Sequence, residues 1–233
     1  MDITKYTASS SGVGLRAAVV TDLHCEPYED ILNCIKAHKA DLILVVGDVV
    51  NNEGDVKNGL DFLRDAAALY PVFFSVGNHE VKCNAKILDE IRQTGVVLLD
   101  NAFVRFRGLS IGGLSTGYTS KKQSKLRPTP PPKTEWLSEF ERSEGFRVLM
   151  CHHPEYYPKH LSHRDIGLVL SGHAHGGQWR FFGRGVYSPG QGIFPRYTSG
   201  MHDGRLIVSR GLRKTLFIPR INNPTELIFI DFE

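Results

Sequence analysis

Along this 233-residue chain, apolar runs keep stopping on the same kinds of residue. "LRAAVVTD" (15–22), "DLILVVGD" (41–48) and "PVFFSVGN" (71–78) each end on aspartate or asparagine. "FRVLMC" (146–151) runs into His152 and His153, and the run over 166–171 leads into "GHAH" (172–175). Runs this short and this rich in branched residues read as strands buried on both faces. Amphipathic stretches separate the first three: 29–39, with Ile31, Leu32, Ile35 and His38 at helical spacing, then 56–69 and 85–94. Strands alternating with such helices predict βαβ units and a parallel sheet. In open α/β sheets the carboxyl ends of the strands are where ligands bind, and here those ends carry the polar residues.

The second half has another rhythm. Residues 103–108 and 109–114 read as a hairpin, and 115–134 as an exposed proline-rich basic loop followed by a short helix over 135–142. Strands are expected at 146–151, 166–171, 205–210 and 226–232, separated mostly by turns, which suits an antiparallel or mixed second sheet. The expected architecture is two sheets packed together with helices outside, as a single domain over 1–233.

Bulk properties narrow the function. A net charge of +3 is too weak to argue a stable nucleic-acid complex. No stretch approaches the roughly 20 apolar residues of a membrane span, and the N-terminus lacks a basic start followed by an apolar core, so no secretory signal is expected. Cys25, Cys34, Cys83 and Cys151 form no CxxC pair and are read as reduced thiols of a cytoplasmic protein. The basic residues Lys121, Lys122, Lys125 and Arg127 read as a solvated loop, with peripheral contact to an anionic membrane as the lesser reading.

The strand ends collect Asp22, His24, Asp48, Asn78, His79, His152, His153, His173 and His175. Taken singly, an aspartate or an Asn-His after a strand is a turn residue. Five occurrences at one edge argue for a shared cation site instead. Imidazole with carboxylate and amide oxygen suits Mn, Fe, Zn or Ni. Asp22, His24, Asp48, Asn78, His152, His173 and His175 are more donors than one ion takes, so two divalent ions are expected. On an extended chain His173 and His175 would face the same side.

The series "DLH", "GDVV", "GNHE", "HHP" and "GHAHGGQ", spanning 22–178, resembles that of the calcineurin-like metallophosphoesterases. It is most similar to a bacterial subgroup whose last motif reads Gly-His-Thr-His-Gly-Gly-Gln, with Ala174 in place of the threonine. The resemblance implies a four-layer α/β/β/α sandwich of two mixed sheets flanked by helices. It also implies a dinuclear centre: Asp22, His24 and His175 on one ion, Asn78, His152 and His173 on the other, and Asp48 bridging. His153 is the alternative to His152. The resemblance makes His79 the histidine that protonates the leaving group. Asn51 stands where purple acid phosphatases have a tyrosine ligand, so no tyrosinate colour is expected.

Two such ions would lower the pKa of bridging water toward neutrality and supply a hydroxide nucleophile against phosphorus. A phosphodiester or related ester is the expected substrate, with a lipid-linked or nucleotide-type molecule among the small-molecule candidates. Gln178 and Arg180, just after the last motif, are candidate substrate contacts, since arginine's planar fork suits phosphate. The competing reading is a non-catalytic scaffold that keeps the fold and binds a protein. Such a scaffold has no need of the complete donor set.

Overall fold

The computed structural model describes residues 1–9, 11–84, 86–119, 128–214 and 219–233. The basic cluster Lys121, Lys122, Lys125 and Arg127, and Ala85 at the head of the expected 85–94 helix, lie outside them.

The first half alternates as its periodicity requires. After β1 (Asp2–Ala8) come β2 (Leu15–Val20), α1 (Glu29–Ala37), β3 (Leu42–Val46), α2 (Lys57–Leu69), β4 (Val72–Ser75), α3 (Asn78–Lys82), α4 (Ile87–Arg92) and β5 (Val97–Leu99). The second half holds the expected hairpin, β6 (Ala102–Phe106) and β7 (Leu109–Leu114), then α5 (Leu137–Phe140), β8 (Phe146–Cys151) and β9 (Leu168–Ser171). Two-residue hairpins follow, β10 (Arg180–Phe181) with β11 (Arg184–Gly185) and β12 (Tyr187–Ser188) with β13 (Gly192–Ile193). The last strands are β14 (Gly200–His202), β15 (Leu206–Val208) and β16 (Glu226–Phe232).

Among the described residues these form two six-stranded sheets, ordered β1-β16-β2-β3-β4-β5 and β14-β15-β9-β8-β7-β6. In the first, β2 to β5 run parallel and β16 is antiparallel to β2. In the second, β15, β9, β8 and β7 run parallel, with β14 and β6 antiparallel at the edges. Of the antiparallel and mixed arrangements expected for the second sheet, the mixed one is found, and its crossovers use irregular backbone and single helical turns instead of long helices. The extra strands β1 and β5 are weakly patterned edges: β1 alternates between exposed and half-buried residues, and β5 has three residues.

Side-chain alternation produces four layers. Ala17, Val19, Leu42, Leu44 and Val46 join Val148, Met150, Leu168 and Leu170 between the sheets. Their neighbours Ala18, Val20, Ile43 and Val45 face Ile35, Phe62 and Ile91 on the helices outside the first sheet. Leu149, Cys151, Val169 and Leu206 pack outward from the second sheet against Phe140 and Tyr157. Strands buried on both faces must be apolar at every position, which is why these runs lack polar interruption. The parallel strands β2, β3, β4, β8 and β9 all lead into the polar motif residues.

Candidate metal centre

At the strand ends the backbone leaves its extended path abruptly. Asp22, His24, Asp48, His173 and His175 all have positive φ, between 45° and 63°. This left-handed region is unfavourable for side chains other than Gly and is reached mainly by Asn, Asp and His. Such outliers cluster at functional sites, where surrounding structure holds them in place. The turn also corrects one expectation. His173 (φ 63°) and His175 (φ 45°) flank Ala174 at φ −76°, ψ −14°, so the pair sits on a tight turn and not on extended chain. Ala174 is buried in the outer core of the second sheet.

The side chains converge. Asp22, His24 and His175 offer donor atoms all within 4.8 Å of one another, as do His24, Asp48 and His79, and Asp48, His152 and His173. His24 Nε2 lies 3.9 Å from Asp22 Oδ1 and 3.8 Å from Asp48 Oδ2. His152 Nε2 lies 3.1 Å from Asp48 Oδ2, and His175 Nε2 lies 3.5 Å from Asp22 Oδ1. The two sheets meet here: the His173 N–H donates to both oxygens of Asp22, at 3.1 Å each. Glycines permit this closeness. A Cβ at Gly172 would overlap the Asp22 carboxylate, and one at Gly77 would overlap Asp48.

A cation fits the atoms left over. His24 Nε2, Asn78 Oδ1 and His152 Nε2 are enclosed, and none has a hydrogen-bond partner. Buried polar atoms are normally paired, so unpaired lone-pair atoms beside buried carboxylates mark a place for positive charge. His152 Nδ1 donates to the Val46 carbonyl at 2.8 Å. That fixes the tautomer and leaves the Nε2 lone pair facing Asp48, an arrangement typical of metal-binding histidines.

The titration tendencies agree. Burial pushes His24, His173 and His175 well below the ordinary histidine range and so keeps them neutral. Burial and the Asp48 charge raise Asp22 to about 6, against the pull of His152. Burial would raise Asp48 too, but His152 and His79 outweigh it and hold Asp48 well below the usual carboxylate range. Asp48 is thus the stronger anion of the pair.

His79 lines the open cleft, and its Nδ1 accepts the Asn52 N–H at 3.1 Å. A neutral ring must then carry its proton on Nε2, which lies 3.9 Å from Asp48 Oδ2. The cleft, of ≈ 430 Å³, is also lined by Lys82, Tyr118, Gln178 and Arg213, with Lys82 Nζ 3.8 Å above the Tyr118 ring. Arg180 is not among the lining residues. Its guanidinium donates to the carbonyls of Gly176 and Gly183 and to Thr198 Oγ1, which holds the post-motif hairpin together. His153 stands behind the cleft, hydrogen-bonded to Thr116 Oγ1 (2.9 Å) and Glu155 Oε1 (3.2 Å).

Residues 15–177, more than half of the chain, match the model for calcineurin-like phosphoesterase. The chain belongs to the calcineurin-like phosphoesterase family. Metallophosphoesterases use divalent metals, and the donor groups above are this family member's candidates for holding them. It is 29% identical to a Campylobacter jejuni metallophosphoesterase, Cj0846, over 70% of this chain and 45% of that one. It is 26% identical to Bacillus subtilis YpbG over 74% and 65%, and 26% identical to an Aquifex aeolicus metallophosphoesterase over 98% and 90%. The phosphoesterase chain thus spans about half to two thirds of the first two relatives. Among solved structures it is similar to TT1561 of Thermus thermophilus, with TM-score 0.47 and 13% identity, covering 68% of this chain and 81% of that one. No helix among the described residues of this phosphoesterase is long and apolar enough to cross a membrane.

Three residues that the motif reading left without a role support the phosphoesterase site. Glu80 accepts the backbone N–H groups of Asp48, Val49, Val50 and Gly77 at 2.9 to 3.3 Å, and so ties the ends of β3 and β4 together. Burial, then Asp48, raise its pKa to about 7. Asn223 donates to the carbonyls of His175 and Gln178, which clamps the last motif. Glu155 touches both His153 and the edge of His173. Glu80 stood visibly within "GNHE". Asn223 and Glu155 carried no sequence signal, because their roles are set by partners far along the chain or across a turn.

Proposed function

We propose that this chain hydrolyses phosphodiester bonds, or closely related phosphate esters, with a pair of divalent transition-metal ions. Asp22, His24 and His175 would hold one ion, Asn78, His152 and His173 the other, and Asp48 would be shared. The observation that carries this reading is the position of Asp48. Its Oδ2 faces His24 Nε2 at 3.8 Å and His152 Nε2 at 3.1 Å, and it shares one donor group with His24 and another with His152 and His173. When bound, the ions would supply Lewis acidity and a water whose pKa lies near neutrality. Because both sheets contribute donors, residues 1–233 are read as one domain.

The chain's own residues do the rest. His79, with its proton on Nε2, faces the cleft as the acid for the departing oxygen. Lys82 and Arg213 in the wall attract the substrate's negative charge, and Gln178 is in reach of a bound ester. A small phosphate ester in the cytoplasm, lipid-linked or nucleotide-like, suits the cleft better than a long polymer.

The test is metal analysis of the purified chain, followed by turnover of bis-p-nitrophenyl and p-nitrophenyl phosphate with Mn, Fe, Zn or Ni restored. We expect two ions per chain and preference for the diester. His79→Ala should lower kcat by roughly 10²- to 10⁴-fold with metal content unchanged. Full metal occupancy with neither ester cleaved would point to the protein-binding scaffold instead.

A further inference from the structure

Glu155 lies three residues beyond His152, on the helical turn Pro154–Tyr156 that follows β8. It belongs to none of the motif positions, yet it is placed with unusual care. Its Oε1 accepts the Thr129 hydroxyl at 2.5 Å and the His153 Nδ1–H at 3.2 Å. The backbone of Gly190 closes over it so tightly that a Cβ there would overlap Oε1. Its other oxygen, Oε2, is enclosed and has no partner. His173 lies beside this carboxylate: its Nε2 is 4.0 Å from Oε1 and is likewise enclosed and unpaired. The rings of His153 and His173 lie 4.2 Å apart between centroids. His153, Glu155 and His173 form a donor group of their own, and they share His173 with Asp48 and His152.

A carboxylate with one oxygen still lacking a donor, near an imidazole nitrogen that lacks an acceptor, is half of a familiar arrangement. Metal-binding histidines usually give their second ring N–H to a carboxylate or carbonyl, which fixes the tautomer and makes the ligand more basic. His152 has its carbonyl, from Val46. We infer that Glu155 does the same for His173: it accepts the Nε2–H and leaves the Nδ1 lone pair for the cation shared with Asn78, His152 and Asp48. Glu155 is thus a positioning residue for one ion of the pair, an inference that rests on the dinuclear reading. His153 and Thr129 hold the carboxylate in place. That gives the second histidine of "HHP" a role distinct from ligation.

Calorimetric titration of the metal-free chain with Mn²⁺ tests this, together with ¹⁵N imidazole spectra. The wild type should bind two ions and show His173 protonated on Nε2. In Glu155→Gln the affinity for one ion should fall about 10- to 100-fold, the other should be unchanged, and the His173 tautomer signal should shift. Glu155→Asp should recover part of the loss. Unchanged affinities in a folded Glu155→Gln would overturn the assignment while leaving the dinuclear centre standing. A wild type that binds fewer than two ions would remove both. If Glu155→Gln does not fold, Thr129→Val, which frees the carboxylate without removing its charge, should weaken the same ion, and no change there would equally overturn it.

Discussion

The first sheet brings both aspartates and the asparagine to the cleft, with His24 and His79 beside them, whereas the second brings imidazoles alone from its last motifs. Asp22, Asp48 and Asn78 leave the ends of β2, β3 and β4, whose crossovers are helices. One buried carboxylate, Glu80, collects four backbone N–H groups and sets the geometry of two of those ends at once. His152, His173 and His175 leave β8 and β9, whose crossovers are irregular. Their rings and turns are set singly, by Val46 for His152, by Glu155 for His173 and by Asn223 for the His175 carbonyl. The half with regular crossovers thus holds its donors through shared backbone. The half without them needs a dedicated partner for each donor.

Four changes probe that contrast. Asp48→Asn should have the largest effect, because Asp48 Oδ2 lies within 3.9 Å of His24, His79 and His152, imidazoles from both sheets. Losing several kcal/mol of charge stabilisation should cut kcat by about 10³-fold or more, with both metal equivalents weakened on titration. A loss confined to one ion would show that the two sheets do not share a ligand. Glu80→Ala comes next. Four buried N–H groups lose their acceptor at once, and at about 1–3 kcal/mol for an unpaired buried group the urea midpoint should drop by an amount worth at least ~3 kcal/mol. A drop under ~1 kcal/mol would mean that the β3 and β4 ends hold themselves.

Gly172→Ala strikes the seam between the sheets, where the new methyl would meet the Asp22 carboxylate. Overpacking of this kind costs about 1–3 kcal/mol and should weaken the ion on the Asp22 side first. Equal weakening of both ions would contradict the division of donors. The smallest effect is expected far from the cleft, at the ion pair of Arg16 with Asp231 that links β2 to β16 at 2.5 Å. The hydrogen bond from Arg16 depresses the Asp231 pKa, against mild burial. Its contribution is therefore present above the unfolded value near 3.9 and is lost as pH falls through the lower folded one. For a pair this exposed, Asp231→Asn should cost about 0.2–1 kcal/mol at pH 7, with the difference vanishing in acid. An undiminished gap at low pH would assign the effect to something other than the charge.

The legible part of the molecule follows from local rules. Strand runs that must be apolar on both faces, helices at 3.6 spacing and the hairpin over 103–114 all declare themselves within a few residues. So did the donor-rich strand ends, because a polar residue that ends a buried run stands out. The edge strands β1 and β5 did not, since one face of an edge may be polar and the pattern thins. The parallel pairing of β7, β8 and β9 was also hidden: crossovers without long helices resemble turns when read along the chain.

What the amino-acid sequence determined alone was the residue chemistry gathered at one sheet edge, and with it the family. Only the tertiary structure decided how those residues are held. The left-handed turns at His173 and His175, the glycines pressed on Asp22 and Asp48, and the partners Glu80, Glu155 and Asn223 all depend on contacts between distant segments. Sequence spacing carries the period of a strand or helix. It carries no record of which far-off carboxylate will face a given imidazole, because that distance is fixed by how two sheets pack.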